Sequence, residues 1–109
     1  MAKVKISPPA RADMREIGDY ISRELRNPSA ALRMIRRFRE TIQPLTEFPE
    51  MGAPLPAPGK QRPLYRYLLC GSYMIFYHFS EDCVLVDRVL YGRRDYLALL
   101  FGDQLDENE

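Results

Sequence analysis

Tyr73 to Phe79 is a run of seven residues in which only His78 is not apolar or aromatic, bracketed by the turn signals Gly71-Ser72 and Ser80-Glu81-Asp82. A strand this apolar on both sides of its period of two belongs in the middle of a sheet, with a neighbour on each edge. The flanking runs supply the neighbours: Leu64 to Cys70 before it and Cys83 to Tyr91 after it. Glycine leading the first two-residue turn suits a tight hairpin. The three runs therefore predict an antiparallel meander.

Upstream, two stretches show helical spacing. Each opens with a capping residue followed by proline, Ser7-Pro8 and Asn27-Pro28. Proline suits the first helical position because its missing N–H had no partner there. Met14, Ile17, Ile21 and Leu25 make one apolar stripe over about Pro8 to Leu25, with Asp13, Arg15, Glu16 and Arg23 placed off it. Ala31, Ile35, Phe38, Ile42 and Leu45 make another over about Pro28 to Phe48, which Pro44 should kink or end. The short connection folds the helices into an antiparallel hairpin. Lys3-Val4-Lys5-Ile6 alternates as a short strand, and five prolines and two glycines from Pro49 to Pro63 predict an irregular loop over Phe48 to Pro63. A last helical turn is expected over Tyr96 to Phe101. The expectation is an α+β domain: N-terminal strand, two-helix antiparallel hairpin, then a three-stranded antiparallel meander, with the helices packed on one face of the sheet. Residues 1–101 form the single domain and 102–109 an acidic tail.

Of 16 basic and 15 acidic residues, four acids and no base fall in the last eight positions, which leaves the body with 11 acids and a charge of +5. A basic body and acidic tail suit an anionic or acidic partner, or serve ordinary solubility. No run approaches the roughly 20 apolar residues of a membrane span, and the start does not read as a secretory leader, so a cytoplasmic protein is expected. Cys70 and Cys83 fall at opposite ends of the meander, roughly 20 Å apart at strand rise, and are read as free thiols. Two cysteines and the lone His78 do not make a zinc site, and no glycine-rich phosphate cradle occurs, so neither metal nor cofactor is expected.

Two features invite partners. Met74 and Phe76 share the face of the middle strand away from Tyr73, Ile75, Tyr77 and Phe79. If bare, they form an apolar binding patch; the proline-rich loop or the C-terminal turn could equally cover them. Arg62, Arg66, Arg88, Arg93 and Arg94 collect on the sheet and its exits. Tyr91-Gly92-Arg93-Arg94-Asp95-Tyr96 combines two guanidinium groups with flanking tyrosines, a chemistry that grips phosphate and bases or anchors a protein interface. His78 has no nucleophile or second ligand beside it in the pattern.

Several fragments, in order, resemble the RelE/ParE superfamily of type II toxins, and the ParE branch most. They are Ser7-Pro8-Pro9-Ala10 with Asp13 and Ile17-Gly18-Asp19-Tyr20-Ile21; Pro28-Ser29-Ala30-Ala31; Leu45-Thr46-Glu47-Phe48-Pro49-Glu50-Met51-Gly52; Gly71-Ser72-Tyr73-Met74-Ile75-Phe76-Tyr77; and Val89-Leu90-Tyr91-Gly92-Arg93-Arg94-Asp95. The resemblance runs from Val4 to about Phe101. It implies a growth-inhibiting toxin of the plasmid-stabilisation kind, bound by a cognate antitoxin in a hetero-oligomer. It also implies one of two targets: DNA gyrase for ParE-like members, or mRNA in the ribosome for RelE-like nucleases. RelE-like nucleases usually carry an arginine where this chain has Met74, and some carry a histidine where it has Tyr91. That favours gyrase inhibition without catalysis. The alternative, an mRNA interferase, would rely on Arg66, Tyr91, Arg93, Arg94 and Tyr96; a binding module that has lost toxicity is a third reading. The surface for target or antitoxin is expected to comprise Arg62, Arg66, Met74, Phe76, Tyr91, Arg93, Arg94 and Tyr96.

Overall fold

The computed structural model describes residues 1–55 and 65–92. The expected final helical turn, the acidic tail and Arg62, Arg93, Arg94 and Tyr96 lie outside the described residues.

Strand β1 (Lys3–Ile6) leads into helix α1 (Pro8–Asp19), whose last turn continues as a π-helical turn, Tyr20–Glu24. Ser7 caps α1, accepting from the Ala10 N–H at 3.1 Å. Arg26, at φ 51°, sits in the left-handed region and lets the chain reverse. Asn27 caps α2 (Pro28–Ile42), accepting from the Ala30 N–H at 3.1 Å. At Pro44 the helix tightens into a 3₁₀ turn, Gln43–Thr46, as a proline without a donor dictates. The sheet then follows: β2 (Ala53–Pro54), β3 (Tyr65–Cys70), β4 (Tyr73–Ser80) and β5 (Cys83–Tyr91).

The strand order is β1-β5-β4-β3-β2. The meander β3-β4-β5 is antiparallel with β4 central, as its composition requires. Two features depart from the sequence reading. The proline-rich loop contains β2, a two-residue strand on the edge of β3, where Pro54 needs no outward donor. And β1 pairs with β5 in parallel, Lys3 against Cys83 through Ile6 against Val86, so the sheet is mixed.

The helices cover one face. Phe38, Ile42 and Leu45 from the α2 stripe and Ala10 from α1 close on Ile75, Tyr77, Val84, Val86 and Val89. Ile21 is buried as its spacing predicts, whereas Leu25, at the end of the same stripe, is exposed beyond the packed turn. The opposite face corrects the bare-patch expectation: Met74 is 6% exposed and Phe76 fully buried. Leu55, Tyr65, Tyr67 and Leu90 pack round them. The middle of β4, Met74 through Tyr77, is thus enclosed on both faces, and the chain just after β2 contributes to the cover. Both cysteines are free thiols, with Cys70 buried. Among the described residues no helix is long and apolar enough to cross a membrane.

Both two-residue turns of the meander place their first residue in the left-handed region, Gly71 at φ 61° and Glu81 at φ 56°. That conformation costs a residue with a Cβ about 1–2 kcal/mol, and a Cβ on Gly71 would also lie 3.4 Å from Arg37 Nη1. Gly71→Ala should therefore lower stability by about 1–2 kcal/mol, while Glu81→Gly should raise it by up to about 1 kcal/mol after the added freedom of the unfolded chain is counted. Urea melts of the two variants, with opposite shifts of the midpoint, check this.

Candidate functional site

The register of β5 sets the site. Val84 and Val86 face the helices, but so does Val89, a step of three. The slip is a bulge: Phe76 pairs with Arg88 and Tyr77 with Val86, which leaves Asp87 as the extra residue. Ser7 fastens this point from α1, donating its hydroxyl to the Asp87 carbonyl at 2.9 Å, while its N–H donates to the Val86 carbonyl. The Asp87 carboxylate meets His78 Nδ1 at 2.7 Å, and Tyr65 lies edge-on to the His78 ring with centroids 5.4 Å apart. His78 thus has a carboxylate partner that the sequence pattern did not supply.

Further along α1, Asp13 takes three hydrogen bonds. Arg88 donates from Nε at 2.7 Å and Nη2 at 2.8 Å, and the Val89 backbone N–H donates at 2.9 Å. Asp13 is 8% exposed, so its place off the apolar stripe is corrected. Spacing held the clue: Asp13 lies three residues after Ala10 and four before Ile17, on the buried side. Arg88, grouped with the exit arginines in the sequence, is committed to this pair, whose hydrogen bonds hold its guanidinium pKa above the usual arginine value despite partial burial.

Beside this clamp opens a groove of about 1290 Å³ between the helical hairpin and the β3–β4 turn end of the sheet. The π-helical turn contributes Tyr20 and Ile21 to its wall; such turns widen a helix locally and often occur at functional sites. Tyr73 forms its floor, edge-on to Phe38 at 5.5 Å and to Tyr91 at 5.6 Å. Burial first, and then the neighbouring Tyr91 and Tyr20 hydroxyls, push the Tyr73 phenol above its ordinary pKa. Tyr20 and Tyr91 are exposed at the rim. Arg33 and Arg37, one turn apart on α2, line the same groove.

Of the sequence candidates within the described residues, Tyr91 lines this groove, as does Arg88 of the arginine group. Met74 and Phe76 are interior. Arg66 is turned to the other end of its strand, where Nη1 donates to the carbonyls of Gly52 at 2.8 Å and Glu50 at 3.2 Å. The groove residues Tyr20, Arg33, Arg37 and Tyr73 were missed; helical spacing alone does not say which solvent-facing arginines look across at a sheet. Among the described residues no three histidine, cysteine or acidic side chains cluster to hold a metal.

The family model described as the ParE toxin of the type II toxin-antitoxin system parDE matches residues 4–96. The chain belongs to the ParE toxin family. A solved structure titled as the chromosomal ParDE TA system from P. aeruginosa contains a chain with the same fold, at a TM-score of 0.69 and 21% identity over 85% of this chain and 98% of that one. No curated protein matches. As a ParE-type toxin, the chain keeps the fragments that carry the resemblance at structural joints: Ser7 and Asp13 at the β5 bulge, Gly71 at the hairpin, and Tyr91 at the groove.

The clamp should prove coupled. Asp13→Ala strands the Arg88 charge and the Val89 N–H and should cost about 3 kcal/mol. In an Asp13→Ala/Arg88→Met double-mutant cycle, the second change should cost much less than it does alone. Additive losses in chemical denaturation would show that the two side chains do not depend on each other.

Proposed function

We propose that this ParE-type toxin arrests growth by inhibiting DNA gyrase and is held silent in the cytoplasm by a cognate antitoxin in a toxin–antitoxin hetero-oligomer. The observation that carries the target is the environment of Met74. A thioether has no N–H to offer a phosphoryl oxygen, and this one is buried against Leu55 and Phe76 rather than open to a substrate. Arg66, the arginine assigned to the nuclease alternative within the described strands, already serves two backbone carbonyls. Both facts favour recognition of a protein over cleavage of mRNA.

The burial of Met74 and Phe76 also moves the antitoxin. The groove between hairpin and sheet suits it better than the filled sheet face, because it joins exposed aromatic rims to a pair of arginines. An amphipathic antitoxin segment would place apolar side chains against Tyr20, Tyr73 and Tyr91 and carboxylates at Arg33 and Arg37.

Purified toxin should inhibit gyrase-catalysed supercoiling in vitro, and added antitoxin should reverse the effect. Mapping of mRNA ends after induction should reveal no codon-positioned cuts; cuts appearing within minutes while supercoiling is untouched would replace gyrase with the ribosome. Reversing both groove charges, Arg33→Glu/Arg37→Glu, should weaken antitoxin binding at least tenfold, about 1.4 kcal/mol, in a calorimetric titration.

A further inference from the structure

The stretch Glu47–Gly52 lines no part of the groove, yet hydrogen bonds from two strands and from within the loop brace its backbone. Tyr77 stands in the core and sends its hydroxyl out to this loop, donating to the Pro49 carbonyl at 2.8 Å and accepting from the Gly52 N–H at 2.9 Å. Arg66 holds the Glu50 and Gly52 carbonyls from the next strand. Within the loop, the Phe48 N–H donates to the Pro44 carbonyl and the Met51 N–H to the Phe48 carbonyl. Gly52 is obligatory: a Cβ there would come within 2.7 Å of the Tyr77 ring and 2.8 Å of the Tyr67 carbonyl.

This bracing serves an outward-facing apolar pair. Phe48 is 60% exposed and Met51 44%, beside a cleft of about 500 Å³ that the five residues from Glu47 to Met51 line. Glu47 and Glu50 flank them, exposed and without an ion-pair partner among the described residues. An aromatic and a methionine held out on fixed backbone lose little further freedom on binding, which is what an interface anchor requires.

We propose that this loop is a second docking point, which seats Phe48 and Met51 in an apolar pocket rimmed by lysine or arginine on the protein that the toxin arrests. The inference rests on the toxin reading. Charge decides the occupant. The groove offers Arg33 and Arg37 against Glu16, with Arg88 and Asp13 paired to each other, and calls for carboxylates on the antitoxin; the loop offers the exposed carboxylates Glu47 and Glu50, with Arg66 engaged by its carbonyls, and calls for the opposite sign. The two surfaces share no lining residue, so one partner can hold the groove while another meets the loop.

The test compares the parent with Phe48→Ser/Met51→Ser and with Glu47→Lys/Glu50→Lys. Each is titrated by inducer for growth arrest, and each is purified for its melting temperature, its affinity for the antitoxin and its oligomeric state. The expected result is that both variants need at least about tenfold more protein to arrest growth, with the other three readouts unchanged. Arrest by the variants at the parent's dose overturns the proposal. So does loss of antitoxin affinity, which makes the loop part of the antitoxin's site, and so does conversion of a parent dimer to monomer, which makes a second copy the occupant. A fall in melting temperature beyond a few degrees also overturns it, by giving the loop a structural role. A parent that arrests nothing removes the toxin reading itself, and the proposal with it.

Discussion

The fold turns on a carboxylate. Strand β1 reaches only as far as Val86, so among the described residues the second half of β5 has no neighbouring strand on that side. A backbone donor left unpaired in the interior would cost the strand dearly. Helix α1 completes the edge with side chains instead. Ser7 hydrogen-bonds the Asp87 carbonyl, and Asp13 takes the Val89 N–H together with both donors of Arg88. The first turns of α1, with its cap, thus stand in for the missing length of β1. Because the bonds are directional, they fix the height and rotation of α1 against β5.

That constraint carries through to the groove. Its helical wall is set by α1, the π-helical turn and α2; its sheet wall is the end of β5 and the β3–β4 turn. The clamp ties these walls together at Asp13 and Val89, while the edge-on contacts from Phe38 to Tyr73 and from Tyr73 to Tyr91 tie them at the floor. The bulge at Asp87 has a further effect. By adding one residue it lets Val89 return to the helix-facing core after Val86 and so steers the chain toward its exit at Gly92, which is left-handed at φ 62°.

A second framework, independent of the clamp, braces the far side. Tyr77 is wholly buried, and burial is the main reason its phenol sits above the ordinary tyrosine pKa. Its hydroxyl remains neutral, donating to one loop group and accepting from another, with Arg66 adding two bonds from the neighbouring strand. The toxin therefore presents two surfaces of contrary character on hydrogen-bonded supports: an aromatic groove edged by Arg33 and Arg37 at one end and an apolar loop flanked by Glu47 and Glu50 elsewhere.

By itself the sequence determined the principal helices and strands and their order, though not the two-residue β2 or the π-helical turn. Ser7-Pro8 and Asn27-Pro28 start the helices, Pro44 ends the second, and Gly71-Ser72 closes the first hairpin, because caps, proline geometry and left-handed turns act over two to four residues. The α2 stripe from Ala31 to Leu45 was legible for the same reason. Even Asp13 and the bulge left marks, an acid at buried spacing and the adjacent polar pair Asp87-Arg88 breaking an alternation. Only the tertiary structure decided what those marks meant. Asp13 meets Arg88 across 75 residues, β1 chooses a parallel partner at the other end of the chain, and Met74 and Phe76 are enclosed rather than bare. The candidate site divides in the same way. Tyr91 was readable from its place before a glycine, whereas Tyr20, Arg33, Arg37 and Tyr73 become one groove only when hairpin and sheet are docked. Local chemistry is written in neighbouring residues; pairing, burial and the facing of one surface toward another depend on groups far apart in the chain, and no short window of sequence contains both partners.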